Sequence, residues 1–276
     1  MREIVDLTEI RAAFDTVLID QFGVLHDGHQ AFPNTRACVT RLADEGVPMV
    51  ALSNSGKRSQ ANRDRLTRLG FPAELFHDVV TSGELAHREI SARLNDGRLP
   101  DLARVAVISR DEDVGMIAGL SVRHVGLDQN PDLLVIAGAE PETHVLTDYT
   151  DAIAPLASAR VPALCINPDR HIYANGNRGF GPGQIAEAYA VAGGPVEMLG
   201  KPGREMFLAG LKALGNPQPE RCLMIGDSPE HDIAGAKAVG CLSLLITSGV
   251  QSETGAETPD IADFAMPGLV YENSGR

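Results

Sequence analysis

The stretch that decides the fold is TVLIDQFGVLHDG, residues 16–28. It starts with a short, continuously apolar run and changes at Asp20 to polar and turn-forming residues. A continuous apolar run, rather than an alternating one, is typical of a strand that is covered on both faces of its sheet. Open α/β sheets bind ligands beyond the carboxyl ends of their strands, so Asp20 stands where chemistry is expected.

Six further apolar runs indicate strands of the same kind, and most are separated by helix-like stretches such as 34–45, 59–69 and 231–239. The six runs are 47–52, 105–108, 133–137, 161–166, 222–225 and 243–247. Strands that alternate with helices predict an α/β fold with a mainly parallel sheet and right-handed crossovers. The length of 276 residues fits one elaborate domain or two small ones.

Composition excludes several classes of protein. The formal net charge of −13 disfavours binding to nucleic acid and to anionic membranes. No apolar run reaches the roughly 18 residues of a membrane span, and the first residues lack the basic and apolar regions of a signal peptide. The four cysteines form no CxxC pair, which predicts reduced thiols and a cytoplasmic location.

Polar and charged side chains follow several of the predicted strands. In chain order they are Asp20, Ser53, Asn54, Lys201, Asp227 and Asp232. Each one alone is an ordinary turn or cap residue, but parallel neighbouring strands would bring them to one edge of the sheet. Carboxylates favour Mg²⁺, and a lysine with short donors neutralises phosphoryl charge. The set therefore indicates magnesium-dependent phosphate chemistry, in which a carboxylate also serves as a nucleophile.

The order of these motifs resembles the haloacid dehalogenase (HAD) superfamily, class IIA, the NagD-like and nitrophenylphosphatase-like group. The matching segments are DQFGVLHDG at 20–28, LSNS at 52–55, NPD at 167–169, GPG at 181–183, GKP at 200–202 and IGDSPEHD at 225–232. The resemblance covers nearly the whole chain. It implies a Rossmann-like core formed by residues 1–83 and 195–276, with an inserted C2-type cap at 84–194.

The resemblance also implies a role for each residue. Asp20 would be the nucleophile that forms an aspartyl-phosphate and a ligand of Mg²⁺, and Lys201 would steady it and the phosphate. Ser53, with backbone amides near Asn54, would bind the phosphoryl group. The remaining metal ligands would be Phe22 through its backbone carbonyl, Asp227, and Asp232, which would hold the metal's water shell or orient Lys201.

Phe22 departs from the family pattern, because the second aspartate of the usual Asp-x-Asp motif transfers a proton to the leaving group. General acid–base catalysis contributes about 10²–10⁴-fold, or roughly 3–5 kcal/mol. Three interpretations stay open: a phosphatase whose substitute acid is His26, Asp27 or His171; a slow hydrolase of esters with good leaving groups; or a weakly active or non-catalytic protein that binds a phosphorylated metabolite. A phosphonate-cleaving enzyme is disfavoured, because residues 84–194 contain no lysine.

The insert supplies candidate substrate contacts in Asn167, Asp169 and Arg170, which follow a predicted strand. An arginine there suits a second anionic group on the substrate. The glycines at 181–183 predict either a helix start whose amides face an anion or a hinge. We therefore predict a Mg²⁺-dependent phosphatase for a small-molecule, sugar phosphate-like ester. A possible homodimer is implied by the family resemblance only.

Overall fold

The computed structural model describes residues 1–174, 177–248 and 262–271. The chain divides into two units, of which the first comprises residues 1–53, 60–80 and 201–276 and the second residues 54–59 and 81–200. The predicted insert 84–194 lies inside the second unit. That this unit acts as a cap on the first stays a prediction.

The strands follow one another in chain order. They are β1 (Arg2–Glu3), β2 (Thr16–Asp20), β3 (Met49–Ser53), β4 (Asp78–Thr81), β5 (Ala103–Ile108), β6 (Val122–Val125), β7 (Leu133–Ile136), β8 (Ala163–Cys165), β9 (His171–Ala174), β10 (Asn177–Phe180), β11 (Val196–Met198), β12 (Cys222–Gly226), β13 (Leu242–Ile246) and β14 (Phe264–Met266). Each of the seven predicted runs overlaps one of these strands.

The α-helices connect these strands. They are α1 (Thr35–Asp44), α2 (Ser59–Arg68), α3 (Ser82–Asn95), α4 (Leu146–Ser158), α5 (Pro182–Val191), α6 (Arg204–Ala213) and α7 (Ala234–Val239). A π-helical turn, Pro229–Ile233, precedes α7 and replaces the first part of the helix predicted at 231–239. None of the helices in the described ranges has the length and apolar character that a membrane crossing requires.

The first unit contains a seven-stranded sheet in the order β1-β14-β13-β12-β2-β3-β4. The interior strand β2 runs parallel to β12 and β3, with Ile19 in register with Ile225 on one side and Ala51 on the other. The apolar residues of β2 are fully buried, as expected for a strand covered on both faces. Because the three strands are parallel and in register, their carboxyl ends lie at one edge of the sheet.

The second unit contains a five-stranded sheet in the order β11-β8-β7-β5-β6, and β9 and β10 form a separate antiparallel pair. Every pairing in this five-stranded sheet is parallel. The predicted α/β class with mainly parallel sheets is therefore confirmed. The four cysteines are all buried and form no disulfide.

Candidate active site

Asp20 is the last residue of β2 and is 8% exposed. Its Oδ1 accepts a hydrogen bond of 2.7 Å from the backbone N–H of Gln21. The neighbouring strand β3 pairs Leu52 with Asp20 and ends one residue later, at Ser53. The sheet register thus places the predicted phosphate-binding hydroxyl one residue beyond the position paired with the predicted nucleophile.

Lys201 joins two carboxylates of the first unit. Its Nζ lies 2.7 Å from Asp20 Oδ1 and 2.8 Å from Asp232 Oδ1, and all three residues are buried. Breaking a buried ion pair by removing one partner is strongly destabilising, since the other charge is left uncompensated. Lys201 therefore ties the end of β2 to the loop after β12, and Asp232 makes the lysine contact that is one of its two implied roles.

Asp227 directly follows β12, and the π-helical turn returns the chain so that Asp232 Oδ2 accepts the backbone N–H of Ser228 at 3.1 Å. Two glycines allow this packing. Gly23 has a φ of +88°, and a Cβ there would lie 2.0 Å from Asp227 Oδ2. A Cβ on Gly226 would lie 2.2 Å from the Cβ of Asp232. Sequence reasoning did not assign these glycines a role, although their positions beside the acids were visible.

The donor set fits a divalent cation. One carboxylate oxygen from each of Asp20, Asp227 and Asp232 lies within 4.8 Å of the others, and all three residues are buried. Three buried carboxyl groups lie together with the ammonium of Lys201, so acidic groups outnumber the basic one in this cluster of described residues. Hard oxygen ligands of this kind suit Mg²⁺ or Ca²⁺. The residues that would hold a divalent metal are therefore present together.

The electrostatics of the cluster follow from its burial. Removal from water raises the pKa of Asp20 to about 7, with Lys201 opposing the rise and the negative charge of Asp232 adding to it. Burial alone would lower the pKa of Lys201, but the carboxylates of Asp20 and Asp232 raise it above its ordinary value. The lysine is thus a permanent cation, whereas Asp20 titrates near neutral pH.

Phe22 packs against His26, with ring centroids 6.2 Å apart and ring planes nearly perpendicular. His26 is 1% exposed, and its Nδ1 accepts the backbone N–H of Gly28 at 3.0 Å. Burial, together with the nearby charge of Arg65, lowers the pKa of His26 to about 4. The neutral, packed ring is poorly suited to act as the substitute acid near pH 7.

The other two candidates for the substitute acid are Asp27, in the same loop, and His171, in the second unit. Asp27 Oδ1 accepts the backbone N–H groups of Gln30 and His29, and these bonds hold the pKa of Asp27 below its usual range. An ionised carboxylate has no proton to donate. His171 begins β9 in the second unit and is exposed, with its Nδ1 3.4 Å from Gln184 Nε2.

The predicted contacts of the second unit form a separate group. Asn54 Nδ2 donates to Asp169 Oδ1 at 2.9 Å, and Asn167 Oδ1 accepts the backbone N–H of Asp169 at 3.1 Å. Arg170 pairs with Glu187 at 3.2 Å, and its side chain is 60% exposed. The structure thus joins Asn54 to the loop after β8, whereas Asp20, Lys201, Asp227 and Asp232 meet in the first unit.

The start of α5 does not offer free amides. The backbone N–H of Gly181 donates to the Arg170 carbonyl at 2.7 Å, and that of Gly183 donates to the Asp169 carbonyl at 3.0 Å. The expectation that these amides face an anion is therefore wrong. The loop carbonyls take the amides because a glycine at either position lets the two segments approach closely, with a Cβ at position 183 lying only 2.3 Å from the Pro168 carbonyl oxygen.

Two family models match the chain, the haloacid dehalogenase-like hydrolase model over residues 17–120 and the HAD-hydrolase-like model over residues 198–270. Chronophin of Bos taurus is 31% identical over 249 residues, which cover 86% of this chain and 82% of that protein.

Solved structures resemble the chain over nearly its full length. A haloacid dehalogenase-like hydrolase from Brucella suis 1330 has a TM-score of 0.85 at 25% identity and covers 97% of this chain and 100% of its own. NagD from E. coli K-12 shares the fold, with a TM-score of 0.70 at 20% identity and coverage of 95% and 99%. With a relative above 30% identity aligned across most of both proteins, the chain belongs to the haloacid dehalogenase-like hydrolase family, as its motifs predict.

Proposed function

We propose that this hydrolase is a Mg²⁺-dependent phosphatase that acts on a small phosphorylated metabolite through an aspartyl-phosphate on Asp20. The observation that carries the proposal is the buried cluster in which Lys201 bridges Asp20 and Asp232 while Asp227 lies within reach of both carboxylates. The relatives named as phosphatases, among them a p-nitrophenyl phosphatase from Archaeoglobus fulgidus, support it through their shared fold.

In this proposal the residues of the cluster share the tasks of attack, orientation and metal binding, and Asp20 takes part in both attack and metal binding. Lys201 and the backbone N–H of Gln21 both bind Asp20 Oδ1, so they fix the rotation of the carboxylate that attacks phosphorus. The attack forms the bond from the Asp20 carboxylate to phosphorus and breaks the ester bond, and water then releases inorganic phosphate. Asp20, Asp227 and the Phe22 carbonyl would hold Mg²⁺, which supplies positive charge for the transferring phosphoryl group when it is bound.

The proposed substrate carries a single phosphate on a small, sugar-like body, and this class rests on the family resemblance. The net charge of −13 supports a small molecule rather than nucleic acid as the partner. We further propose Arg170 as a contact for a second anionic group. Its exposed ion pair with Glu187 contributes little to stability, so the guanidinium can bind a substrate anion instead. The cytoplasm as the site of action and a homodimer belong to the same proposal.

The test is hydrolysis of para-nitrophenyl phosphate with Mg²⁺ by the wild type and by Asp20→Asn. We expect the substitution to lower turnover by at least about 10³-fold, as removal of a nucleophile does. Asp15→Asn is the matched control, because Asp15 belongs to the same unit and pairs with Arg221 at the surface. Equal activity of Asp20→Asn and the wild type would contradict the proposal.

A second candidate function is the binding of a phosphorylated metabolite without useful turnover. It is favoured by the loop after β2, where Phe22 replaces the acid, His26 is neutral and Asp27 is ionised near pH 7. It predicts that inorganic phosphate with Mg²⁺ raises the melting temperature, while a broad panel of phosphate esters is hydrolysed negligibly. Robust hydrolysis of any natural ester excludes it.

A further inference from the structure

We propose that Asp169 is a positioning residue, which acts by holding Asn54 and thereby orders the phosphate-binding segment that begins at Ser53. The inference rests on the proposed function, because it concerns the same phosphate-binding residues. It assigns Asp169 a task other than the substrate contact that its place after a strand predicts.

Asn54 is held at both ends of its side-chain amide. Its Nδ2 donates to Asp169 Oδ1 at 2.9 Å, and its Oδ1 accepts from Ser82 Oγ at 3.4 Å. Asn54 and Ser82 are buried, and all three residues belong to the second unit. An amide bound at its donor and its acceptor end cannot rotate freely, so the backbone at position 54, next to Ser53, is fixed as well.

Gly200 brings the segment before Lys201 to the same amide. It has a φ of +119°, and a Cβ there would lie 2.7 Å from Asn54 Oδ1 and 2.6 Å from Ser82 Oγ. Any other residue would push this segment away from Asn54. The residue that follows Ser53 and the residue that precedes Lys201 therefore pack against one another, and Asp169 anchors the group from the loop after β8.

Asp169 is itself built into its loop. Its backbone N–H donates to Asn167 Oδ1 at 3.1 Å, and its carbonyl accepts from the N–H of Gly183 at 3.0 Å. A Cβ on Gly181 would lie 2.1 Å from that carbonyl oxygen. The backbone of Asp169 is fixed on both sides, and its carboxylate binds a buried amide. Such a residue is suited to orient a neighbouring side chain rather than to contact a substrate.

The decisive experiment is a double-mutant cycle on Asp169→Ala and Asn54→Ala, with kcat and KM measured for para-nitrophenyl phosphate. We expect each single variant to lower kcat about 10- to 100-fold, the order of a misplaced phosphate contact. The double variant should lie within about threefold of the weaker single variant, because both changes break one interaction. Multiplying effects would overturn the proposal, since Asp169 would then act independently of Asn54.

Two further variants separate positioning from a direct role. Asp169→Asn keeps an acceptor oxygen for Asn54 and should retain kcat within about fivefold of the wild type, whereas a charge that contacts substrate would be lost in this variant. Asp132→Ala is the matched control. Asp132 is also a hydrogen-bonded acid of the second unit, but it precedes β7 and binds Arg104. Asp132→Ala should leave kcat unchanged.

A readout without substrate separates this proposal from the proposed function. Backbone amide hydrogen exchange over residues 53–57 should be faster in Asp169→Ala than in the wild type and in Asp132→Ala, because local order there is lost. Faster exchange in a protein that hydrolyses no ester supports the positioning role and rejects the phosphatase. Unchanged exchange rejects the positioning role, whether or not the wild type is active.

Discussion

The loop after β2 and the loop after β8 both follow apolar, parallel strands and both carry polar residues, but they use them in different ways. After β2, the carboxyl group of Asp20 meets Asp227, Asp232 and Lys201 in a buried cluster of three acids and one lysine. After β8, the side chain of Asp169 binds a neutral amide and that of Arg170 binds Glu187.

This difference distinguishes a cluster of buried acids from polar side chains that are paired with one another. Buried carboxyl groups that lie close together are costly, so such clusters are typical of sites that bind a ligand. Polar groups that are satisfied by nearby donors and acceptors need nothing further and instead fix the shape of the loop. The cluster of the first unit therefore has the character of a ligand site, whereas the polar side chains of the loop after β8 are paired within the second unit.

The largest expected effect comes from Lys201→Met, which removes the positive charge that contacts both Asp20 and Asp232. We expect turnover of para-nitrophenyl phosphate to fall by at least about 10³-fold, the order of removing an electrostatic stabiliser. The free energy of unfolding in EDTA should fall by about 3–5 kcal/mol, because two buried carboxylates lose their partner. Urea denaturation with and without Mg²⁺ measures this.

Lys212→Met is the control, because Lys212 lies exposed in α6 of the same unit. It should change neither turnover nor stability measurably. If Lys201→Met were as stable as the wild type in EDTA, the ion pairs of Lys201 with Asp20 and Asp232 would not stabilise the folded protein.

Phe22→Asp tests whether the loop after β2 lacks only a proton donor. We expect hydrolysis of an alkyl phosphate, whose leaving group needs protonation, to rise about 10²-fold relative to hydrolysis of para-nitrophenyl phosphate. Phe22→Asn is the matched control, since it removes the same ring from Gly28 and His26 without adding an acid. The same ratio in both variants would show that another group already transfers the proton.

Much of the first unit could be predicted from the sequence, because its central strands are long apolar runs. The run 16–19 identified β2, and the acids after it identified the site, since parallel neighbours in register bring their ends together. In the second unit, the strands β6 and β11 were missed, because their residues are largely exposed and show no apolar pattern. Their pairing partners, rather than their composition, determine that they are extended.

The hydrogen-bond partners of the loop after β8 could not be predicted from the sequence. Asn54 and Asp169 are 115 positions apart, and nothing in the composition of either segment records their hydrogen bond. For the amides of α5, the sequence left open a helix start that faces an anion and a hinge, since a helix start alone does not show which carbonyls lie opposite. Sequence motifs indicate which chemistry is available, whereas the folded chain determines which polar groups are already used.

His26→Asn asks how much stability the neutral histidine of the loop after β2 contributes. The folded pKa of about 4 lies below the unfolded value of about 6.5, so this stability is complete above pH 6.5 and is lost as the pH falls through 4. A difference of about 2.5 units corresponds to about 3 kcal/mol. Asparagine keeps an acceptor for the Gly28 N–H but does not titrate.

Between pH 7.5 and pH 4, the free energy of unfolding should therefore fall by about 3 kcal/mol more in the wild type than in His26→Asn. Urea denaturation at a series of pH values measures the difference. The exposed His77 of the same unit provides the control, and His77→Asn should keep the wild-type dependence. Parallel curves for His26→Asn and the wild type would show that burial of the ring does not lower its pKa.

The pH dependence of metal binding tests the ionisation of Asp20. In the metal-free protein the raised pKa of Asp20, about 7, means that its contribution to stability is largest below pH 4 and is lost as the pH rises through 7. Mg²⁺ needs the ionised carboxylate, so its affinity should weaken up to about tenfold per pH unit below 7. Isothermal titration calorimetry at pH 6 and pH 8 measures this, with Asp227→Asn as the variant that should bind weakly at both values.

The smallest expected effect concerns Arg170, whose side chain is exposed in the loop after β8. Its ion pair with Glu187 is exposed, so Arg170→Ala should change the free energy of unfolding by less than about 1 kcal/mol. KM for para-nitrophenyl phosphate should stay within about twofold, while KM for an ester with a second anionic group should rise up to about tenfold. Glu187→Ala, which frees the guanidinium, should lower the latter KM. Equal KM changes for both substrates would show that Arg170 does not contact the second anionic group. The polar side chains of the loop after β8 would then fix the shape of the loop only.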